Sequence, residues 1–290
     1  MTVDFTTWFW PHGDPFARAE ASTDERSRSS DDTFVRARAV LGYDAPRLGV
    51  ESANDLVIAF CQADPLRRVA MPGIDPLRDG ALRLLDAYHQ RGAIGVVVSP
   101  ADQGWCPTHT GVREFFEACA ERGLVVLSKN PGLLRRDSVL GFARVWHWDE
   151  VLRSMPTLKL VLGDHLVGGV DESLALCAKH RSAFAETSGV LARPIRLHDM
   201  LRSAHEFGVM DKVIFGSGSP AMSAADAAER VYQVNGLGVR GDLDPIPRES
   251  LRAIVERDTF RALGVEDFDA MPRGADVRAR RAVVRRGVNA

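Results

Sequence analysis

The stretch Val213-Ile-Phe-Gly-Ser-Gly-Ser-Pro220 carries the decisive pattern in this chain. An apolar run, with Val209 just upstream, breaks into Gly-Ser-Gly-Ser-Pro, and a long helical pattern begins at Ser223. A short apolar run ending in small polar residues reads as a buried parallel strand that empties into a pocket. In an α/β barrel, the residues just past such a strand line the active site. Here that tip offers Ser217, Gly218 and Ser219, with no acid, base or metal ligand among them.

Working outward, the same strand-then-break pattern recurs at residues 183–186, 158–162, 123–128, 94–98, 68–73 and 2–6. The weakest strand signal lies at 47–50. Helical patterns separate them at 33–41, 81–91, 148–155, 171–180, 198–207 and 248–257. Ser52 is the expected cap of a helix whose Leu56, Val57 and Phe60 share a face, and Thr110 of one that presents Phe115, Phe116 and Cys119. Ser223-x-x-Asp226 has the form of a capping box. Eight strands alternating with helices favour a closed (β/α)8 TIM barrel in the α/β class, and 290 residues is an ordinary length for one. The expectation is a single domain over 1–272, with a polar loop at 17–32 that reads as a solvated surface insertion before it reads as a lid, though its place after the first strand would suit one. The extension at 273–290 holds six arginines against one aspartate, the pattern of a solvated arm.

A formal net charge of −2 argues against a surface given over to nucleic acid or a membrane. Cys61, Cys106, Cys119 and Cys177 include no CxxC pair, as expected of reduced thiols in a cytoplasmic protein. No apolar run approaches membrane-spanning length, and residues 1–5 show no secretory pattern.

From its middle onward the sequence resembles the amidohydrolase-2 family, a branch with aromatic acid decarboxylases, lactonases and amide hydrolases. Residues 95–100 followed by Gln103-Gly-Trp-Cys-Pro107 are similar to the family's "GIKLHP…QGFYPDD". The segment from Glu117 to Leu127 resembles the helix and strand before its "HTG". Residues 156–169 are similar to "P.LKIVLAHLGG", Ala185-Glu-Thr-Ser-Gly189 to "LDTSG", residues 211–220 to "DRVLFGSDYP" and 258–265 to "NARRLLGL".

Such enzymes hold a divalent metal between two His on the first strand, later His residues and an Asp after the eighth. The metal lowers the pKa of a bound water whose proton the Asp takes. The resemblance places Thr6 and Trp8 at the two His positions, Val97 and Ser99 at the Lys and His of "KLHP", Asn130 at the His of "HTG" and Gly218 at the Asp. His165 matches a ligand position after a shift of one residue. A single imidazole does not hold a catalytic metal, so neither a metal nor another cofactor is expected.

Three functional readings follow. The first is a non-hydrolytic partner or scaffold subunit, as a homo-oligomer or paired with an intact amidohydrolase-like chain. The second is a metal-independent hydrolase, lactonase or decarboxylase-like lyase for a small carboxylate or aromatic acid. In that reading His165 is the base, oriented by Asp164 or Glu186, and Thr6, Trp8, Ser99, Asn130, Ser217 and Ser219 meet the ligand. A small-molecule-binding protein would use the same pocket for recognition alone. Strand alternation, counted from Asn130, turns Lys129 away from the barrel interior. His12 reads as a surface residue on the first loop. Trp8, Trp10, Trp105, Trp146 and Trp148 are candidates for stacking a planar ligand, meeting a partner or packing a loop.

Overall fold

The computed structural model describes residues 2–10, 15–16, 35–50, 53–165, 169–237 and 245–265. Its strands are β1 (Thr2–Trp8), β2 (Val35–Leu41), β3 (Arg68–Met71), β4 (Gly95–Val98), β5 (Val125–Ser128), β6 (Lys159–Leu162), β7 (Ala183–Glu186) and β8 (Val213–Ile214). All neighbouring pairs are parallel, in the runs β1-β2-β3 and β4 through β8. Backbone bonds just beyond the regular ladders join the two runs. Ile94 N–H donates to Ala70 O (3.1 Å) and Val97 N–H to Pro72 O (2.9 Å) between β3 and β4. Phe5 N–H donates to Phe215 O (3.0 Å) and Trp8 N–H to Ser219 O (2.7 Å) between β1 and β8. The ring is therefore closed, as expected of an eight-stranded barrel.

Around it lie α1 (Asn54–Gln62), α2 (Ala81–Gln90), α3 (Pro100–Gln103), α4 (Arg113–Glu121), α5 (His147–Ser154), α6 (Val170–Lys179), α7 (Ser188–Leu191), α8 (Pro194–Glu206), α9 (Ala224–Tyr232), α10 (Arg248–Glu256) and α11 (Thr259–Ala262). Strand alternation sorts the core into two shells. Phe5, Ala39, Leu41, Met71, Val97, Leu127, Val161, Phe184 and Ile214 fill the barrel. Val40, Ala70, Val98, Val126, Leu160, Ala185 and Phe215 face the helices. Phe260 and Leu263 join the inner shell. They plug the barrel where strands begin, since Lys159, first in β6, reaches Gly264 O at 2.9 Å and Arg36, near the start of β2, pairs with Asp258 at 2.9 Å.

Two expectations about the second βα unit are corrected. Residues 35–41 form β2 rather than a helix, and residues 46–48 form a short 3-10 turn rather than a strand. Alanine and arginine favour a helix locally, but this segment also alternates Ala37, Ala39 and Leu41 at one face. Burial of that face in the barrel overrides propensity. His109, not Thr110, is the capping residue before α4, its ring accepting from Gly111 N–H. Ser223 does cap α9, accepting from Asp226 N–H at 3.1 Å. Ser52, His12, the 17–32 loop and the 273–290 extension lie outside the described residues. Among the described residues no helix is long and apolar enough to cross a membrane.

Candidate functional site

The strands' carboxyl ends open into a mouth whose centre is occupied by side chains. Val125 and Leu127 point inward on β5, so Lys129, two residues further on, does too. This corrects the outward orientation expected for Lys129, whose expected register was one residue out. Its ammonium donates to Glu186 Oε1 (2.5 Å), Ser188 Oγ (2.7 Å) and Gly163 O (3.0 Å). Glu186, in phase with Phe184 on β7, is fully buried and also accepts from Thr6 Oγ1 (3.1 Å), Ser188 N–H (2.6 Å) and Ser188 Oγ (2.7 Å). The pair meets the requirement of a buried ion pair, that every donor and acceptor be matched.

Two glycines make room for it. A Cβ at Gly216 would lie 2.3 Å from Thr6 Oγ1 and 2.7 Å from Glu186 Oε2; one at Gly163 would lie 3.0 Å from Glu186 Oε1. Gly216→Ala is therefore expected to lower stability by roughly 1–3 kcal/mol, the usual range for overpacking, measured as the shift in urea-unfolding midpoint. An unchanged midpoint would mean the mouth has slack that these distances do not show.

The seam between β1 and β8 has its own clamp. Asp4, fully buried, accepts from Ser217 N–H (2.8 Å), Ser217 Oγ (2.7 Å) and Thr7 Oγ1 (3.1 Å). Burial pushes its carboxyl above the usual range, opposed by the Ser217 hydrogen bonds. Ser219 N–H in turn donates to Ser217 Oγ at 3.0 Å. Thr6, Ser217 and Ser219, expected to meet a ligand, thus spend their side chains or backbone on closing the barrel. Ser99 does likewise, donating to Lys129 O at 2.6 Å.

His165 is buried with both ring nitrogens engaged. Nε2 lies 2.9 Å from the Glu186 carbonyl, which makes it the protonated nitrogen, and Nδ1 accepts from Ser173 Oγ at 3.0 Å. Burial lowers its pKa, so the ring is held neutral. Neither the Asp164 carboxylate nor that of Glu186 orients it, contrary to the sequence expectation.

Beside this packed centre is a cavity of about 600 Å³, within the range of small-molecule sites. Its walls come from Phe16 after β1, Asn130 through Arg135 after β5, Asp164 after β6 and Arg193 after β7, with Gly163 and Gly189 between them. Asn130 anchors one wall: Oδ1 accepts from Ala101 N–H (2.7 Å) at the start of α3, and Nδ2 donates to Asp164 Oδ2 (2.6 Å). Asp102 holds the same loop, accepting from Gly132 N–H (2.8 Å), Ser138 Oγ (2.7 Å) and the Tyr43 hydroxyl (2.8 Å). Phe16 stands edge-on to Tyr43 and Trp10, and Trp10 stacks on Trp8 with ring centres 5.2 Å apart. The Arg135 guanidinium lies 5.6 Å above the Phe16 ring. Trp105 and Trp148 are core residues packed on Phe116, and Trp146 is exposed.

Asp164 is the cavity's titratable acid. Its Oδ2 accepts from both the backbone and side chain of Asn130, each at 2.6 Å, and its Oδ1 bonds no described residue. Burial raises its pKa to about 6, against the opposing pull of the Lys129 charge. Arg135 and Arg193 share the cavity, and among the described residues neither has a carboxylate partner. Sequence alone offered no signal for the arginines, which sit among many others, or for the Lys129–Glu186 pair. Among the described residues no group of three or more His, Cys, Asp and Glu is arranged to hold a metal ion.

Three solved structures show the fold relationship. An uncharacterised TIM-barrel protein from Bordetella bronchiseptica superposes with a TM-score of 0.68 at 16% identity, covering 91% of this chain and 98% of its own. A dihydroxybenzoic acid decarboxylase from Polaromonas, with bound manganese and the inhibitor 2-nitroresorcinol, gives 0.66 at 14% identity over 93% and 99%. A probable 2-pyrone-4,6-dicarboxylic acid hydrolase from Acinetobacter baumannii, with citric acid bound, gives 0.63 at 13% identity over 91% and 99%. A search of curated proteins returns no match. The sequence profile described as amidohydrolase matches residues 7–284, nearly the whole chain, and with a closed barrel of parallel strands beneath that match the chain belongs to the amidohydrolase family.

Proposed function

We propose that this protein binds a small aromatic carboxylic acid at the barrel mouth and transfers a proton to it without a metal, as a decarboxylase-like lyase. The observation that carries this reading is Asp164: it lines the cavity, one carboxyl oxygen is fixed by Asn130 while the other bonds no described residue, and its pKa is raised to about 6. A carboxylic acid titrating near neutrality is suited to general acid work. Arg193 and Arg135 supply the positive charge that an incoming carboxylate needs, and Phe16 supplies an aromatic wall. The protonated Asp164 donates its proton to the ring carbon bearing the carboxylate. The carbon–carbon bond then breaks, its electron pair returns to the ring, and carbon dioxide leaves. Asp164 regains a proton from water. Metal-independent hydrolysis of a lactone would use the same carboxyl as its base.

A partner or scaffold role requires no such cavity, which is why the ligand-binding reading is preferred. The family relationship and the decarboxylase and hydrolase among its fold relatives support it coarsely. A thermal-shift screen of hydroxybenzoic and pyrone carboxylic acids tests it, followed by assay of carbon dioxide release. At least one acid is expected to raise the unfolding temperature, and Arg193→Ala to weaken its binding by about 10–100-fold, the worth of a charge-assisted hydrogen bond. Binding without turnover would leave a small-molecule-binding protein, and no shift from any acid would sink the reading.

A further inference from the structure

An ion in the mouth of this barrel would take its ligands from the inward positions just past the strand ends. In this chain those positions include Thr6, Ser99, Lys129, Gly163, Glu186 and Gly216. Two are glycine, two are hydroxyls already bonded within the protein, one is a carboxylate and one is an ammonium. The nearby imidazole, His165, has no free nitrogen. A catalytic divalent metal asks for about three nitrogen, sulfur or carboxylate ligands with an open position, so the residues present do not fit one.

The geometry points to Lys129 as the resident cation of the barrel mouth, its ammonium standing in the place a divalent ion would take. The ammonium has the surroundings of a bound cation. Oxygens of Glu186, Ser188 and Gly163 lie 2.5, 2.7 and 3.0 Å from Nζ, one for each of its protons, and Thr6 braces the far side of the carboxylate. The two glycines keep this space free of competing side chains while the lysine stem passes through it, with Gly163 meeting Lys129 Cγ at 3.1 Å if given a Cβ. A second cation in the same cage would face the fixed charge at close range in a poorly solvated site. The charge there is thus covalently part of the chain: it cannot be chelated away and does not vary with metal supply. This inference stands whatever ligand the neighbouring cavity takes.

Its test uses the full-length protein and manganese alone. Wild type incubated with excess Mn²⁺ and then desalted is expected to retain less than about 0.1 equivalent, since the described residues offer no vacant ligand set to hold it. In Lys129→Ala the cage is left with a carboxylate, one hydroxyl and a carbonyl, oxygen ligands of the kind a hard divalent ion takes, with water filling its other positions. Mn²⁺ should then raise the unfolding temperature of Lys129→Ala in a concentration-dependent way, while K⁺ at equal ionic strength does not. Should Lys129→Ala fail to fold alone, refolding it in Mn²⁺ gives the same readout as recovery of native circular dichroism. The charge-free Lys129→Met/Glu186→Gln variant serves as control, folding without Mn²⁺ and ignoring it. Stoichiometric manganese in wild type overturns the inference. So does a Lys129→Ala chain that Mn²⁺ neither stabilises nor rescues.

Discussion

Lys129→Met is expected to destabilise the protein by about 3–5 kcal/mol, the cost typical of removing one partner from a buried ion pair. Methionine roughly fills the lysine stem's space, so the loss is electrostatic rather than a cavity effect. Glu186 is fully buried, and without the ammonium it keeps three hydrogen bonds, from Thr6 Oγ1 and from the backbone and hydroxyl of Ser188, but no opposite charge among the described residues. Adding Glu186→Gln should recover most of the deficit, because replacing a buried pair by neutral groups costs far less than breaking it. The pair's coupling energy follows from urea denaturation of wild type, both single variants and the double variant. If Lys129→Met unfolds within about 1 kcal/mol of wild type, the pair does not hold the mouth together.

Asp164→Asn is expected to lower turnover by about 10²–10⁴-fold, the usual contribution of a positioned acid, while leaving ligand binding intact. The side-chain oxygen of asparagine still accepts from Asn130, so the wall of the cavity is preserved. The pH dependence separates charge from shape. In the folded chain Asp164 holds its proton up to about pH 6, against an ordinary value near 3.8. The folded state therefore binds more protons than the unfolded chain between those values. The group favours the folded state at the acid end, and that contribution is lost as pH rises through the window. Binding follows the same sign. Below about pH 6 the cavity presents a neutral carboxylic acid; above it, an anion that repels a carboxylate ligand. Affinity should fall by up to about tenfold per pH unit above that point, and Asp164→Asn should flatten the profile. A wild-type profile already flat between pH 5 and 8 would remove Asp164 from the ligand's surroundings.

The barrel was legible because its signal is periodic and repeated. The inner strands are short apolar runs ending in Gly, Ser, Asn or Asp, and residues 95–98, 125–128 and 183–186 form strands where that pattern puts them. The second unit failed where local preference and tertiary burial disagree: Val35-Arg-Ala-Arg-Ala-Val-Leu41 satisfies a helix on propensity and a strand on alternation. At the site, Asp164 and Asn130 stand out as candidates because they follow strand ends, and Glu186 because it closes one. Lys129 was placed facing away because the alternation was counted from Asn130, whereas the side chains of Val125 and Leu127 set the inward phase. Arg135 and Arg193 come from separate loops, and nothing in a linear sequence marks two arginines as neighbours across a cavity.

The seam between the first and last strands bears on how the chain comes into being. Asp4 can meet Ser217, and Phe5 can meet Phe215, only after more than two hundred intervening residues have been made. Until then a nascent barrel is an open sheet with two unpaired parallel edges, β1 and β7, and open edges invite pairing with other chains. Loop closure over that span is slow relative to local βα pairing. Protection of β1 from such encounters therefore arrives only with the eighth strand, a two-residue strand and a four-residue Gly-Ser-Gly-Ser segment that latches onto a buried aspartate.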